Sequence, residues 1–366
     1  LRFPRMLIEA ESPEQLGYDK IKFNLTESSL RDRTLAELGL DLNDQILCYT
    51  DHLGLPPLRE AIAARAGMQS GEVLLTAGAA AALFIVAVTL LDRGDHMIVV
   101  RPNYATNIET PRILGCQVEC LDLKFEDGFA LDLARLETMI TPKTRLISLT
   151  TPHNPTGVAL SAATLRAVAA MAERHDVHVL VDETYRDMSF VEKPPVAATL
   201  SERLISVSSL SKSYGIPGIR LGWIVSRDRG LNYRFLCAKE QIGICGSVVD
   251  EAIGLAAYSQ ADAWMASVQA PLKAAFDSVA AWIAAEPMLE WVEPSGGCVC
   301  FPRIVGEVDM AVFYATLNDI HGCYVGPGHW FEQDDRYFRL GYGWPLPAEL
   351  AGGLKAISAS LRKAAL

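Results

Sequence analysis

The sequence predicts an α/β fold: a large domain built on a mostly parallel sheet flanked by helices, followed by a smaller α+β domain. Three observations carry this. Short apolar runs bounded by turn residues alternate with helical segments between Val73 and Ser226. The rhythm changes after about Val248, where long helical stretches give way to short strands. The length, 366 residues, exceeds what one hydrophobic core usually holds.

The elements follow in order. Val73–Thr76 reads as a buried strand, and Gly78 opens a helix through Leu91. His96–Val100 is a strand, Tyr104–Leu114 a helix, and Val118–Leu123 and Leu146–Thr150 are strands. Ser161 suits the N-cap of a helix running to about Arg174. Val177–Val181, Leu204–Ser208 and Leu221–Ser226 read as buried strands. Strand and helix in alternation argue for parallel pairing with helices on both faces. Beyond Val248 a helical stretch reaches Ala285, and Pro271 is expected to break or restart it. Then come Gly296-Gly297, a strand at Cys298–Phe301, a helix at Met310–His321, a strand at Tyr337–Gly341 and a last helix after Pro347. The predicted division is 30–255 for the large domain and 256–366 for the small one, with 1–29 packing beside the latter. No low-complexity linker and no internal repeat separates them.

Composition narrows the function classes. Acidic residues (44) outnumber basic ones (33), and no basic run occurs, so neither nucleic acid nor an anionic membrane is expected as a partner. The eight cysteines form no CxxC pair and the seven histidines are scattered, so no metal site is expected and the thiols read as free. The longest apolar run, Ala79–Leu91, is about two-thirds of the ~20 residues a membrane span needs. No secretory leader is visible at the start. A cytoplasmic location is the expectation.

Four stretches carry chemistry. The first is Ser208-Ser209-Leu210-Ser211-Lys212-Ser213-Tyr214-Gly215, followed by Arg220-Leu221-Gly222-Trp223. A lysine just past a buried strand, flanked by serines, is unusual for a structural residue. Its amine can form an imine with the aldehyde of pyridoxal 5′-phosphate (PLP) and later move a Cα proton. The hydroxyls of Ser209 and Ser211 and the guanidinium of Arg220 suit a dianionic phosphate. Alone, such a run also reads as a solvated loop.

The second stretch is Val179-Leu180-Val181-Asp182-Glu183-Thr184-Tyr185. Asp182 ends an apolar strand, at the sheet edge where open α/β folds bind ligands. A carboxylate there can keep a pyridine nitrogen protonated, although a strand-end Asp is also an ordinary cap. The third is Thr151-Pro152-His153-Asn154-Pro155-Thr156-Gly157, a stiff turn after a strand. Asn154 and the Tyr185 hydroxyl can both donate to a phenolic oxygen, and the bare alternative is a structural turn. The fourth is Thr76-Ala77-Gly78-Ala79-Ala80, where a glycine opens a helix and leaves backbone amides free for phosphate.

Together and in this order, the four stretches resemble the class I/II aminotransferases of PLP fold type I. The resemblance runs from about Asn24 to Gly341. It implies a seven-stranded sheet, PLP as cofactor and a homodimer. It implies Lys212 as the Schiff-base lysine, with Asp182 and Tyr185 beside it in catalysis. Tyr49, in Tyr49-Thr50-Asp51-His52-Leu53-Gly54, matches the tyrosine that reaches the neighbouring subunit's phosphate. Tyr104, after Arg101-Pro102-Asn103, matches the aromatic residue stacked on the pyridine ring. Arg339, in Tyr337-Phe338-Arg339-Leu340-Gly341, matches the arginine that forks onto the substrate α-carboxylate, with Asn154 near it. Gly326-Pro327-Gly328-His329-Trp330-Phe331 matches a small-domain loop whose final glycine is here Glu332.

One departure concerns the substrate. The family's N-terminal Gly-Glu-Pro or Gly-Asp-Pro turn is replaced by Asn24-Leu25-Thr26-Glu27-Ser28-Ser29. Glu27 either faces the pocket and favours a neutral or cationic side chain, or points to solvent and leaves an apolar pocket lined by Tyr104, His329 and Trp330. The expected activity is transamination between an L-amino acid and a 2-oxo acid, both small molecules. The alternatives are a PLP lyase or a specialised biosynthetic enzyme that eliminates, oxidises or cyclises an amino acid such as arginine, and a non-catalytic effector-binding module. A nicotinamide dehydrogenase lacks its glycine fingerprint here.

Overall fold

The apolar runs that read as strands do form one sheet. The computed structural model describes residues 2–366. After a short β1 (Phe23–Asn24), the central sheet comprises β2 (Val73–Thr76), β3 (His96–Arg101), β4 (Gln117–Asp122), β5 (Thr144–Thr150), β6 (His178–Asp182), β7 (Leu204–Ser209) and β8 (Gly222–Val225). Their order is β2-β8-β7-β6-β5-β3-β4. Every neighbouring pair is parallel except the two that β8 makes, with β2 and β7. The expected seven-stranded, mostly parallel sheet is therefore present, with strand ends a residue or two from their predicted places.

The strands read as unbroken apolar runs because both faces are covered. Successive side chains alternate between two cores. Ile98, Val100, Ile147, Leu149, Val179 and Val181 enter one, whereas Met97, Val99, Leu146, Leu180, Ile205 and Val207 enter the other. Helix Gly78–Leu90 packs on the second face through Ala82, Leu83, Ile85 and Val86. Helix Ala162–His175 lies on the first face, and its predicted cap holds: the Ser161 side chain accepts the Thr164 N–H.

Pro271 does not end its helix. Ala261–Ala285 runs through it. Trp264 and Met265 on one side of the proline, and Leu272, Phe276, Val279 and Ile283 on the other, are buried in the largest core. That packing outweighs the cost of a proline inside a helix, about 3 kcal/mol for the lost hydrogen bond and the ring's clash together. The predicted helix Met310–His321 also changes character: it is α-helical to Ala315 and continues as a π-helical turn over Thr316–Ile320.

The remaining strands are short. β9 (Leu289–Glu290) pairs antiparallel with β11 (Arg303–Ile304). β10 (Val299–Cys300) and β13 (Gly326–Pro327) flank β14 (Phe338–Gly341), and β1 pairs with β12 (Cys323–Tyr324). Glu332, where the family pattern has glycine, keeps the left-handed backbone (φ 57°). The strain of about 1–2 kcal/mol is offset by its ion pairs with Arg112 and Arg101. All eight cysteines are free thiols. Among the described residues no helix is long and apolar enough to cross a membrane.

Candidate active site

The carboxyl ends of β5, β6 and β7 open on one cavity of about 590 Å³. Asn154 enters it from the turn after β5, Asp182 ends β6, Ser209 ends β7, and Ser211 and Lys212 follow. Ala79 and Ala80, at the start of helix Gly78–Leu90, form a further wall with Tyr104, Tyr185, Arg220 and Arg339. The predicted residues thus meet, with two qualifications. Gly78 lies behind the wall, against Arg220. Tyr49 stands apart and is 80% exposed.

Gly78 has to be glycine. Its φ is +76°, and a Cβ would sit 2.4 Å from Arg220 Nη2. The close approach brings the guanidinium to the positive end of the helix, where free amides already favour an anion. Arg220 is held by its Nη1, which donates to Pro217 O at 2.8 Å and to Ser211 Oγ at 3.4 Å.

Asp182 is buried, and its Oδ1 accepts both the Thr184 N–H (3.0 Å) and the Thr184 hydroxyl (2.6 Å). Burial pushes its pKa above the usual carboxylate range, against the pull of the Thr184 bonds and Lys212. Among the described residues, Lys212 Nζ has no hydrogen-bond or ion-pair partner. Burial lowers the lysine's pKa, which favours a neutral amine despite the nearby Glu27. Arg339 is buried. Its Nη1 donates to Asn154 Oδ1 at 3.1 Å and its Nη2 to Thr26 O at 2.7 Å, while Nε is unpaired among the described residues. Because the Asn154 oxygen is taken by Arg339, its amide nitrogen remains free to donate.

Glu27 lines the cavity. Its Oε1 accepts from Tyr18 Oη (3.3 Å) and Asn24 Nδ2 (3.4 Å). Burial pushes its pKa up; Lys212 and Arg339 pull the other way, and Glu14 adds to the upward push. The solvent-facing alternative for Glu27 is therefore incorrect.

Sequence reading missed the N-terminal strap. Two short helices, Leu7–Ala10 and Pro13–Leu16, fold over the cavity, and Ile8, Glu9, Ser12, Pro13 and Glu14 line it. Glu9 accepts the Tyr104 hydroxyl at 2.9 Å. Glu11 Oε2 accepts Trp330 Nε1 at 2.6 Å and meets His329 Nε2 at 2.8 Å, while His329 Nδ1 meets Asp335 at 2.8 Å. His329 is thus an anchor for the strap and not a pocket wall, contrary to the apolar-pocket reading; Trp330 does line the cavity.

A family model described as aminotransferase class I and II matches residues 20–351. The chain belongs to this family. Among this aminotransferase's relatives is capreomycidine synthase of Streptomyces vinaceus, 31% identical over 92% of this chain and 87% of the relative. Arginine–pyruvate transaminase of Pseudomonas aeruginosa is 32% identical over 77% and 74% of the two chains. The crystal structure of a PLP-dependent aminotransferase from Streptococcus suis superposes with a TM-score of 0.92 at 27% identity, covering 100% of both chains.

The chain is a PLP-dependent aminotransferase-family enzyme acting on small amino and oxo acids, and its residues fit the cofactor. A buried carboxylate with its pKa raised is suited to a pyridinium, an unpaired half-buried lysine to an aldehyde, and an arginine beside free helix amides to a phosphate.

Proposed function

We propose that Lys212, Asp182 and Arg339 run transamination of an L-amino acid whose side chain is neutral or cationic. The observation that supports this most directly is the joint placement of an unpaired, half-buried lysine, a buried carboxylate and a buried arginine on one cavity. The cofactor supplies an aldehyde for the amino group and a ring that accepts an electron pair. Lys212 Nζ takes the substrate's Cα proton, helped by the burial that lowers its pKa. Asp182 holds the proton on the ring nitrogen. Asn154 Nδ2 and the Tyr185 hydroxyl would donate to the phenolic oxygen, and Tyr104 would pack against the ring. Arg220, Ser209, Ser211 and the amides after Gly78 hold the phosphate. Arg339 binds the α-carboxylate and so fixes which Cα bond faces Lys212.

The side-chain preference rests on Glu27. A substrate carboxylate beside it meets like-charge repulsion in a partly dry site, whereas an ammonium or guanidinium finds a partner. The test is kcat/KM for aspartate, methionine, tyrosine and arginine on the wild type and on Glu27→Gln. Aspartate is expected to be the poorest of the four, and the preference for arginine to shrink about tenfold in the variant, a difference of roughly 1.4 kcal/mol. Aspartate as the best substrate would overturn the proposal.

A second reading is specialised biosynthesis, in which the same proton abstraction leads to elimination or ring closure. It is favoured by the near full-length likeness to a protein named capreomycidine synthase, together with the acidic pocket.

The proposed active unit is a cytoplasmic homodimer, in which Tyr49 serves the partner's phosphate. Ile46, Leu47, Tyr49, Ile242 and Ile244 are all exposed. Their segments are linked by Lys239 Nζ donating to His52 O at 2.6 Å, and exposed apolar side chains on both would suit an interface. Sedimentation is expected to give twice the 39.9 kDa chain mass. A fully active monomer would refute the assignment. The proposed division, 30–255 and 256–366 with 1–29 beside the latter, is supported by the β1–β12 pairing.

A further inference from the structure

The strap brings charge as well as cover. Glu14, in helix Pro13–Leu16, lines the cavity together with Tyr18 and Glu27. The Tyr18 hydroxyl and Asn24 amide both bond to Oε1 of Glu27. Glu27 Oε2 and the whole Glu14 carboxylate have no hydrogen-bond or ion-pair partner among the described residues. The cations on the same cavity are Lys212, Arg220 and Arg339. In the proposed chemistry Arg220 faces the phosphate, Arg339 faces the α-carboxylate, and Lys212 is committed to the imine and the Cα proton. No protein cation is then left for the two glutamates.

Glu27 is half-buried and Glu14 stands exposed beside it on the same cavity, and two carboxylates so placed repel each other until a cation comes between them. A guanidinium presents five N–H donors in a rigid fork, enough to engage both. The same cavity is built to hold a charged ligand, because Arg339 is buried within its wall with Nε unpaired among the described residues. The geometry points to Glu14 and Glu27 as two jaws that hold a guanidinium or ammonium on the substrate side chain. Glu27 is fixed in the floor and positioned by Tyr18, and Glu14 is delivered by the strap. The inference rests on the neutral-or-cationic reading above and narrows it to a cation. It also makes side-chain recognition and strap closure one event.

The test uses the holoenzyme and two readouts. Binding of L-arginine, L-citrulline and L-aspartate is titrated by the absorbance of the bound cofactor. Citrulline has nearly the shape of arginine without its charge. Amide hydrogen exchange over Leu7–Leu16 is followed with and without each ligand. Arginine is expected to bind at least about tenfold more tightly than citrulline and to slow exchange in the strap more. Glu14→Gln is expected to cut the arginine-to-citrulline ratio about fivefold, the size of one partly exposed charge pair, and to remove the extra protection. A purely structural role for Glu14 would weaken both ligands alike and leave the ratio unchanged. An unchanged ratio, with arginine still preferred, would overturn the role of the strap and leave the substrate reading standing. Tightest binding of aspartate by the wild type would overturn the substrate reading itself.

Discussion

Lys212→Ala is expected to lose at least about a thousandfold in turnover, a barrier increase of roughly 4 kcal/mol, while still retaining the cofactor non-covalently. The lysine is the unpaired amine on the cavity, and burial lowers its pKa, which favours its acting as a base. General-base assistance alone is worth about 10²–10⁴-fold. The proposed phosphate cradle, Arg220, Ser209, Ser211 and the amides after Gly78, is untouched by the substitution. The measurement is single-turnover loss of the substrate amino group, paired with borohydride reduction and peptide mapping of the wild type. Label on a different lysine, or a variant within tenfold of wild-type rate, would move the role elsewhere.

Removing the Asp182 charge is expected to give the second largest loss. Asp182→Asn keeps an acceptor for the Thr184 N–H and hydroxyl, which Oδ1 now serves. The β6–Thr184 turn should therefore survive, whereas alanine would leave a buried N–H unpaired at about 1–3 kcal/mol. With the carboxylate gone, the ring nitrogen loses its charged partner and the electron sink weakens. A fall of at least about 100-fold in turnover is expected, roughly 2.7 kcal/mol, with cofactor affinity changed much less. Turnover within tenfold of wild type would mean that another group serves the ring nitrogen.

The sheet was legible because its strands are apolar on both faces, so residues such as Val179, Leu180 and Val181 stand out without any knowledge of their partners. Much of the candidate cluster was legible because Asp182 and Ser209 end strands and Asn154, Tyr185, Ser211 and Lys212 follow within four residues, where chemistry and chain geometry coincide. Glu27 was only half legible. Its position in the chain was noticed, but its direction depends on Tyr18 and Asn24 folding beside it. The strap was not legible at all. Its helices are four residues each, too short for any periodicity, and it is fastened by Tyr104, His329 and Trp330, far along the chain. Pro271 misled for a related reason, since local propensity is a weak guide where buried side chains on both sides of a proline hold the helix together.

The bond between Arg339 and Asn154 ties two tasks into one part. The same asparagine orients the arginine through its oxygen and, on the proposed roles, offers its nitrogen to the cofactor. Carboxylate binding and cofactor electronics therefore cannot be retuned separately: a change in either side chain disturbs both. The strap is fastened through Tyr104, His329 and Trp330, none of which is hydrogen-bonded to that pair among the described residues. Variation that changes which side chain is accepted can accumulate there and around Glu27 while the reaction centre stays as it is. In this chain, the freedom to diversify and the need to conserve are assigned to different segments.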